Sequence, residues 1–96
     1  MAEFIFLMHS DAAEDSGHDW GPYLDQLRRS GRFDGGSAIG DGACYRKSGP
    51  LPEIAGHIGG YIKVEAQDLA EAATLLAGNP VYEDGGTVEI RELPKS

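Results

Sequence analysis

The stretch Gly49–Ala66, GPLPEIAGHIGGYIKVEA, decides the fold. Its first half is punctuated by proline and glycine and reads as a loop. Its second half alternates from Tyr61: Ile62, Val64 and Ala66 point one way, and Tyr61, Lys63 and Glu65 the other. A period of two predicts a strand with one buried face and one face free for chemistry or a partner. Gly59 and Gly60 at its start remove side chains, so that a second backbone or a ligand can approach closely.

Working outward, Phe4–Met8 (FIFLM) is continuously apolar and predicts a strand covered on both faces, central in its sheet. His9 and Ser10 follow at its carboxyl end, and Asp11–Asp19 reads as an acidic loop containing His18. Trp20, Tyr23, Leu24 and Leu27 then fall on one helical face. Pro22 places that helix's start within two or three residues, since proline is tolerated in a first turn, and Gly31 is a natural stop. Phe33–Arg46 is glycine-rich and predicts either two short strands or one bulged edge strand, bent near Gly40-Asp41-Gly42. After the opening strand, Asp68 and Glu71 form a capping box. Leu69, Ala72, Ala73 and Leu76 make a second apolar helical stripe that Gly78 closes. Thr87–Leu93 alternates again, with Val88 and Ile90 on one face and Thr87, Glu89 and Arg91 on the other.

The order is β-α-β-β-α-β, a single α+β domain over residues 1–96 of ferredoxin-like type, an antiparallel sheet with two helices on one face and strands one and three central. The other face carries Tyr61, Lys63, Glu65, Thr87, Glu89 and Arg91 beside an apolar side of strand one. It needs a cover, and a second copy of the chain is the economical one.

Eight basic and sixteen acidic residues leave a net charge of −8 in 96 residues. Such a field disfavours nucleic acid and anionic membrane surfaces as partners. The single cysteine, Cys44, cannot close an internal disulfide and suits a reducing compartment. Phe4–Met8 is too short for a signal-peptide core and follows an acid, and no stretch approaches a membrane span, so a cytoplasmic location is expected.

SGPLPEIAGHIGGYIKVEA (residues 48–66), the Ala- and Leu-rich helix, GNP (78–80) and GGTVEIREL (85–93) together resemble the YCII-related domain. Within it they are most similar to the branch named for an Asp-Gly-Pro-Phe motif. Gly49, Pro50, Glu53 and Gly59-Gly60-Tyr61 match that branch in register, whereas Ser48 stands at its Asp and Leu51 at its Phe. The resemblance implies a ferredoxin-like fold that dimerises into an α/β barrel with a cleft at the rim. It brings no established reaction. The His–Asp pair suggested for plain YCII proteins has no counterpart in place here, because the corresponding positions fall at Trp20, near His18, and at Asn79.

From the residues themselves, His9 at a central strand's carboxyl end and His18 beside Asp19 are the candidates for acid–base catalysis. Tyr61, Lys63 and Arg91, read as lying on neighbouring strands and one face, are candidates to hold an anionic small ligand, against the simpler reading of pairing with Glu65 and Glu89. His57 can line the cleft from the loop. His9, Asp11, His18 and Asp19 offer metal-type donors, but without HxH, HxxxH or HExxH spacing no metal is assigned. Cys44 lacks the basic neighbourhood of a catalytic thiol, and the glycine runs match neither GxGxxG nor a P-loop. Two functions stay open: a small-molecule enzyme using His-based proton transfer without a cofactor, and a non-catalytic binding or regulatory module that dimerises.

Overall fold

The structure is a computed structural model describing residues 1–12 and 19–95. Four strands form one antiparallel sheet: β1 Ala2–His9, β2 Phe33–Ala38, β3 Ile58–Ala66 and β4 Val88–Leu93, in the order β2-β3-β1-β4. The two most apolar strands, β1 and β3, are therefore central, as their patterns predict. Helices α1 Trp20–Ser30 and α2 Leu69–Thr74 complete the β-α-β-β-α-β order, with one addition, a short helix α3 Pro80–Glu83.

Strand parity sets the core. Phe4, Phe6 and Met8 of β1 and Ile62, Val64 and Ala66 of β3 are buried, and Tyr23, Leu27 and Ala72 join them from the helices. Pairing of Phe4 with Val64 and of Phe6 with Ile62 brings these side chains onto one face. The continuous FIFLM run buries every second residue fully; Ile5 and Leu7 are only half-buried on the opposite face of this chain.

α1 begins at Trp20, two residues before Pro22, with the Asp19 side chain accepting from the Gly21 amide. It ends at Gly31, whose φ of 75° is left-handed and favours glycine. Tyr23 Oη donates to the Leu75 carbonyl at 2.8 Å, tying α1 to the turn after α2. Burial pushes the Tyr23 phenol up, with the neighbouring Asn79 amide pulling the other way.

The remaining differences from the sequence reading are local. β3 starts at Ile58, so the Gly59-Gly60 doublet lies inside the strand, where Gly60 faces Met8 on one side and Ala38 on the other. β2 is one bulged edge strand that stops at Ala38, with the register shift between Phe33 and Gly36. The capping box at α2 forms in modified shape: Glu71 N–H donates to Asp68 Oδ1 at 2.8 Å, while the Glu71 carboxylate accepts from Gln67 N–H. α2 stops at Thr74, short of the expected Gly78, and leaves Leu69 and Ala73 exposed. The chain turns through Gly78 and restarts at α3, where the Asn79 side chain accepts from Tyr82 N–H and Pro80 occupies a first turn that needs no donor.

Candidate functional site

α1 presents two stripes. Tyr23 and Leu27 go into the core, whereas Trp20, Leu24 and Arg28, spaced by four, line a cavity of about 670 Å3 between α1 and the sheet. Met8, Gly60 and Ile62 form part of its floor, and Phe33, Gly36 and Ala38 of the edge strand its far wall. Small residues make the space. A Cβ on Gly60 would meet the Ser37 carbonyl at 3.3 Å and the Met8 methyl at 3.5 Å, and one on Gly36 would strike the Tyr61 carbonyl at 2.5 Å. Close backbone approach, read from the glycine doublet, thus occurs at β2–β3, and the same bareness opens the cavity.

His9 and Ser10 line the cavity where β1 leaves the sheet. The β1–β3 register shifts between Met8 and His9. The His9 backbone amide donates to the Thr87 carbonyl at 2.9 Å and the Ser10 amide to the His57 carbonyl at 2.7 Å, pinning the strand end between β4 and the β3 approach. The His9 ring is mostly buried, with Nε2 3.0 Å from Glu89 Oε1. Arg91 Nη1 donates to the other Glu89 oxygen at 3.1 Å. These two bonds hold the Glu89 carboxyl below its ordinary 4.5, the bond from His9 contributing most. With Glu89 ionised, Nε2 is the donor, which in the neutral ring leaves the lone pair on Nδ1.

Asp11 is engaged close by. Its carboxylate accepts from Thr87 N–H at 2.8 Å and from the Thr87 hydroxyl at 2.7 Å, and these bonds hold it below its ordinary 3.8. Asp19 caps α1. Three of the four metal-type donors singled out in the sequence, His9, Asp11 and Asp19, therefore have structural partners, and among the described residues no group of three His, Cys, Asp or Glu is placed to hold a metal ion.

The other candidates are dispersed. His18 lies outside the described residues. His57 is exposed and meets the His9 ring edge-to-face at 5.0 Å, beside the cavity wall. Tyr61 contributes to the cavity lining, although strand parity puts its side chain on the open face. Lys63 reaches Asp34 at 3.9 Å, and Arg91 holds Glu89. The sequence reading set Tyr61, Lys63 and Arg91 on neighbouring strands. The sheet order corrects this, because β1 runs between β3 and β4 and Ile5 separates Lys63 from Arg91. With strands about 4.8 Å apart, their backbones stand roughly 10 Å from each other.

Sequence reasoning missed Arg28 and Phe33 as lining residues. The spacing of Trp20, Leu24 and Arg28 was the available signal: a second stripe, adjacent to Tyr23 and Leu27, is surplus to one core face. The Arg28 guanidinium carbon lies 5.4 Å from the centre of the Phe33 ring, a cation–π distance. No carboxylate lines the cavity among the described residues, in a chain with sixteen acids.

The solved structure of 5-chloro-2-hydroxyhydroquinone dehydrochlorinase from Burkholderia phenoliruptrix AC1100, in complex with 2,5-dihydroxybenzoquinone, is similar over 100% of this chain and 96% of its own. The TM-score is 0.56 and the identity 13%, a likeness of fold. Comparison with curated protein sequences finds no match. The family model of the YCII-related domain matches residues 6–95, which take in the second half of β1 and every later strand and helix of the fold. By that match the chain belongs to the YCII-related domain family.

Proposed function

We propose that the cavity binds a small, flat organic molecule and that His9 moves a proton on it, first as base and then as acid. The observation that carries this reading is the 3.0 Å bond between Glu89, itself outside the lining, and His9, which lines an otherwise mostly apolar cavity. Glu89 accepts the hydrogen bond from Nε2–H, so Nδ1 is the basic atom. Removal of an acidic O–H or an enolisable C–H proton by Nδ1 gives an imidazolium facing the Glu89 carboxylate. The electron pair left on the substrate then has two outlets. Reprotonation at another ring atom by the same imidazolium is a tautomerisation, and departure of a leaving group with the pair is an elimination. No external oxidant or reductant is needed in either case. The fold neighbour, a dehydrochlorinase bound to a dihydroxybenzoquinone, supports a hydroxylated ring as the class to try first.

The test is exchange of ring protons of 1,2,4-trihydroxybenzene in D2O, followed by proton NMR. The wild type is expected to accelerate exchange, and His9→Gln to lose about 100-fold of that acceleration. Binding without any His9-dependent exchange would leave the second reading, a non-catalytic binding or regulatory module.

The open sheet face supports a homodimer within the same proposal. Ile5, Leu7, Tyr61 and Leu93 are half-buried there in the single chain and stand among Lys63, Glu65, Glu89 and Arg91. A second copy packed sheet to sheet would cover the apolar centre, and Tyr61, Lys63 and Arg91 would then edge the rim of the closed barrel. A monomeric mass in sedimentation at micromolar concentration overturns this. Among the described residues no helix is long and apolar enough to cross a membrane, and the unpaired Cys44 supports the cytoplasm as the location.

A further inference from the structure

The cavity extends well beyond His9. Trp20 and Arg28, at the two ends of its helical wall, are eight residues apart, which is about 12 Å along the helix axis. Between them lie Leu24 on the helix and Ile62 and Gly60 on the sheet, all without charge. At the far end Arg28 and Phe33 stand together, the guanidinium against the ring. The cavity is therefore long, apolar in the middle, and polar at two separated places with different chemistry: an imidazole at one and a permanent cation at the other.

The charge distribution gives this arrangement a sign. Sixteen of the 96 residues are acidic, yet none lies in the lining among the described residues. Asp25 binds Arg28 Nη1 at 3.2 Å in an exposed i,i+3 pair, 63% exposed on the Asp side. Exposed pairs of this kind are weak, and one such bond does not exhaust the five donors of a guanidinium. The Phe33 ring, 5.4 Å from the guanidinium carbon, holds the charge at that end by a cation–π contact.

We propose that the cavity takes an elongated organic anion, whose carboxylate or phenolate is held by Arg28 while its apolar body lies along Trp20, Leu24 and Ile62 with the opposite end at His9. This rests on the reading of the cavity as the ligand site and adds to it a charge, a length and an orientation. A ligand longer than one ring satisfies both ends; acetate satisfies only one.

The experiment uses 4-phenylbutanoate, its neutral counterpart 4-phenylbutan-1-ol, and acetate, titrated at pH 7 into the full chain and into Arg28→Gln, Arg28→Lys and Leu24→Trp. Binding is read by calorimetry and by the His9 ring proton signals in NMR. Phenylbutanoate is expected to bind the wild type about 10-fold tighter than the alcohol, the scale of one charge-assisted hydrogen bond. Arg28→Gln is expected to abolish that preference without weakening the alcohol, and Arg28→Lys to retain part of it. Phenylbutanoate shifts the His9 signals, and acetate leaves them unmoved. Equal affinity of acid and alcohol for the wild type, or equal weakening of both by Arg28→Gln, overturns the proposal. If the alcohol binds and Leu24→Trp excludes it while the acid has no advantage, the cavity stands as the ligand site and only the anion reading falls. If neither compound binds, or Leu24→Trp excludes neither, the cavity reading falls and this proposal with it.

Discussion

Glu89 accepts from His9 Nε2 on one carboxylate oxygen and from Arg91 on the other, so protonating it removes the charge that strengthens both. Its carboxyl sits below the ordinary 4.5. A depressed folded-state value means that the stabilisation is complete above the unfolded value and is lost as the pH falls through the folded one. Asp11, below its ordinary 3.8 through its Thr87 bonds, behaves in the same sense. Glu3 has the opposite sign: its hydrogen bond with Asp34 raises it above 4.5, so its contribution is present at low pH and disappears as the pH rises through the raised value. Thermal unfolding measured from pH 3 to pH 7 is therefore expected to respond oppositely to two substitutions. Glu89→Gln removes part of the acid sensitivity below about pH 4.5, whereas Glu3→Gln raises the melting temperature at neutral pH and has little effect near pH 3. In NMR, Glu89→Gln also frees the His9 tautomer, visible as a changed ratio of its two ring nitrogen shifts. His9 was legible as a candidate because it follows a central strand. Glu89 was not, because only pairing across 80 positions of sequence sets it beside the imidazole.

At the scale of elements, the starts of α1 and α2 rest on aspartates that the sequence displays openly, and the cost of losing one is measurable. Asp68→Ala removes the acceptor for Glu71 N–H and is expected to cost about 1 kcal/mol in urea unfolding. Leu27→Ala, in the fully buried stripe of α1, is expected to cost roughly 2–5 kcal/mol by leaving a void. The edge strand carries a subtler constraint. At Gly36 a Cβ would sit 2.5 Å from the Tyr61 carbonyl, so Gly36→Ala must push β2 away from β3, at about 1–3 kcal/mol, and distort the far cavity wall. Helix and strand types followed from periodicity alone. The length of α2, the extra helix α3 and the single bulged β2 did not, because each depends on where a neighbouring element stops supporting the pattern.

For the whole molecule, the radius of gyration is 14.8 Å, against about 12.5 Å for a compact chain of this length. Part of the excess is the connection between β2 and β3, where Tyr45 is 90% and Leu51 63% exposed. Together with the half-covered Ile5 and Leu7 on the open sheet face, it presents apolar surface in search of a partner. In the proposed dimer Leu7→Glu is expected to convert a two-chain mass in sedimentation to a one-chain mass while the far-ultraviolet circular dichroism stays unchanged. A wild type that already sediments as one chain removes the premise.

By itself the sequence determined the β-α-β-β-α-β order, the central place of β1 and β3, and the buried face of the clearly patterned strands. All of these follow from hydrophobic periodicity and from the backbone limits of proline and glycine, which act between near neighbours. It also carried the family, chiefly through the stretch from Gly49 to Tyr61. The tertiary structure alone decided that α1 carries a second stripe facing a cavity, that Glu89 orients His9, that β1 separates Lys63 from Arg91, and that Arg28 meets Phe33. Those relations join residues far apart in the chain, and strand order and register set them; no local pattern encodes a distance across a fold.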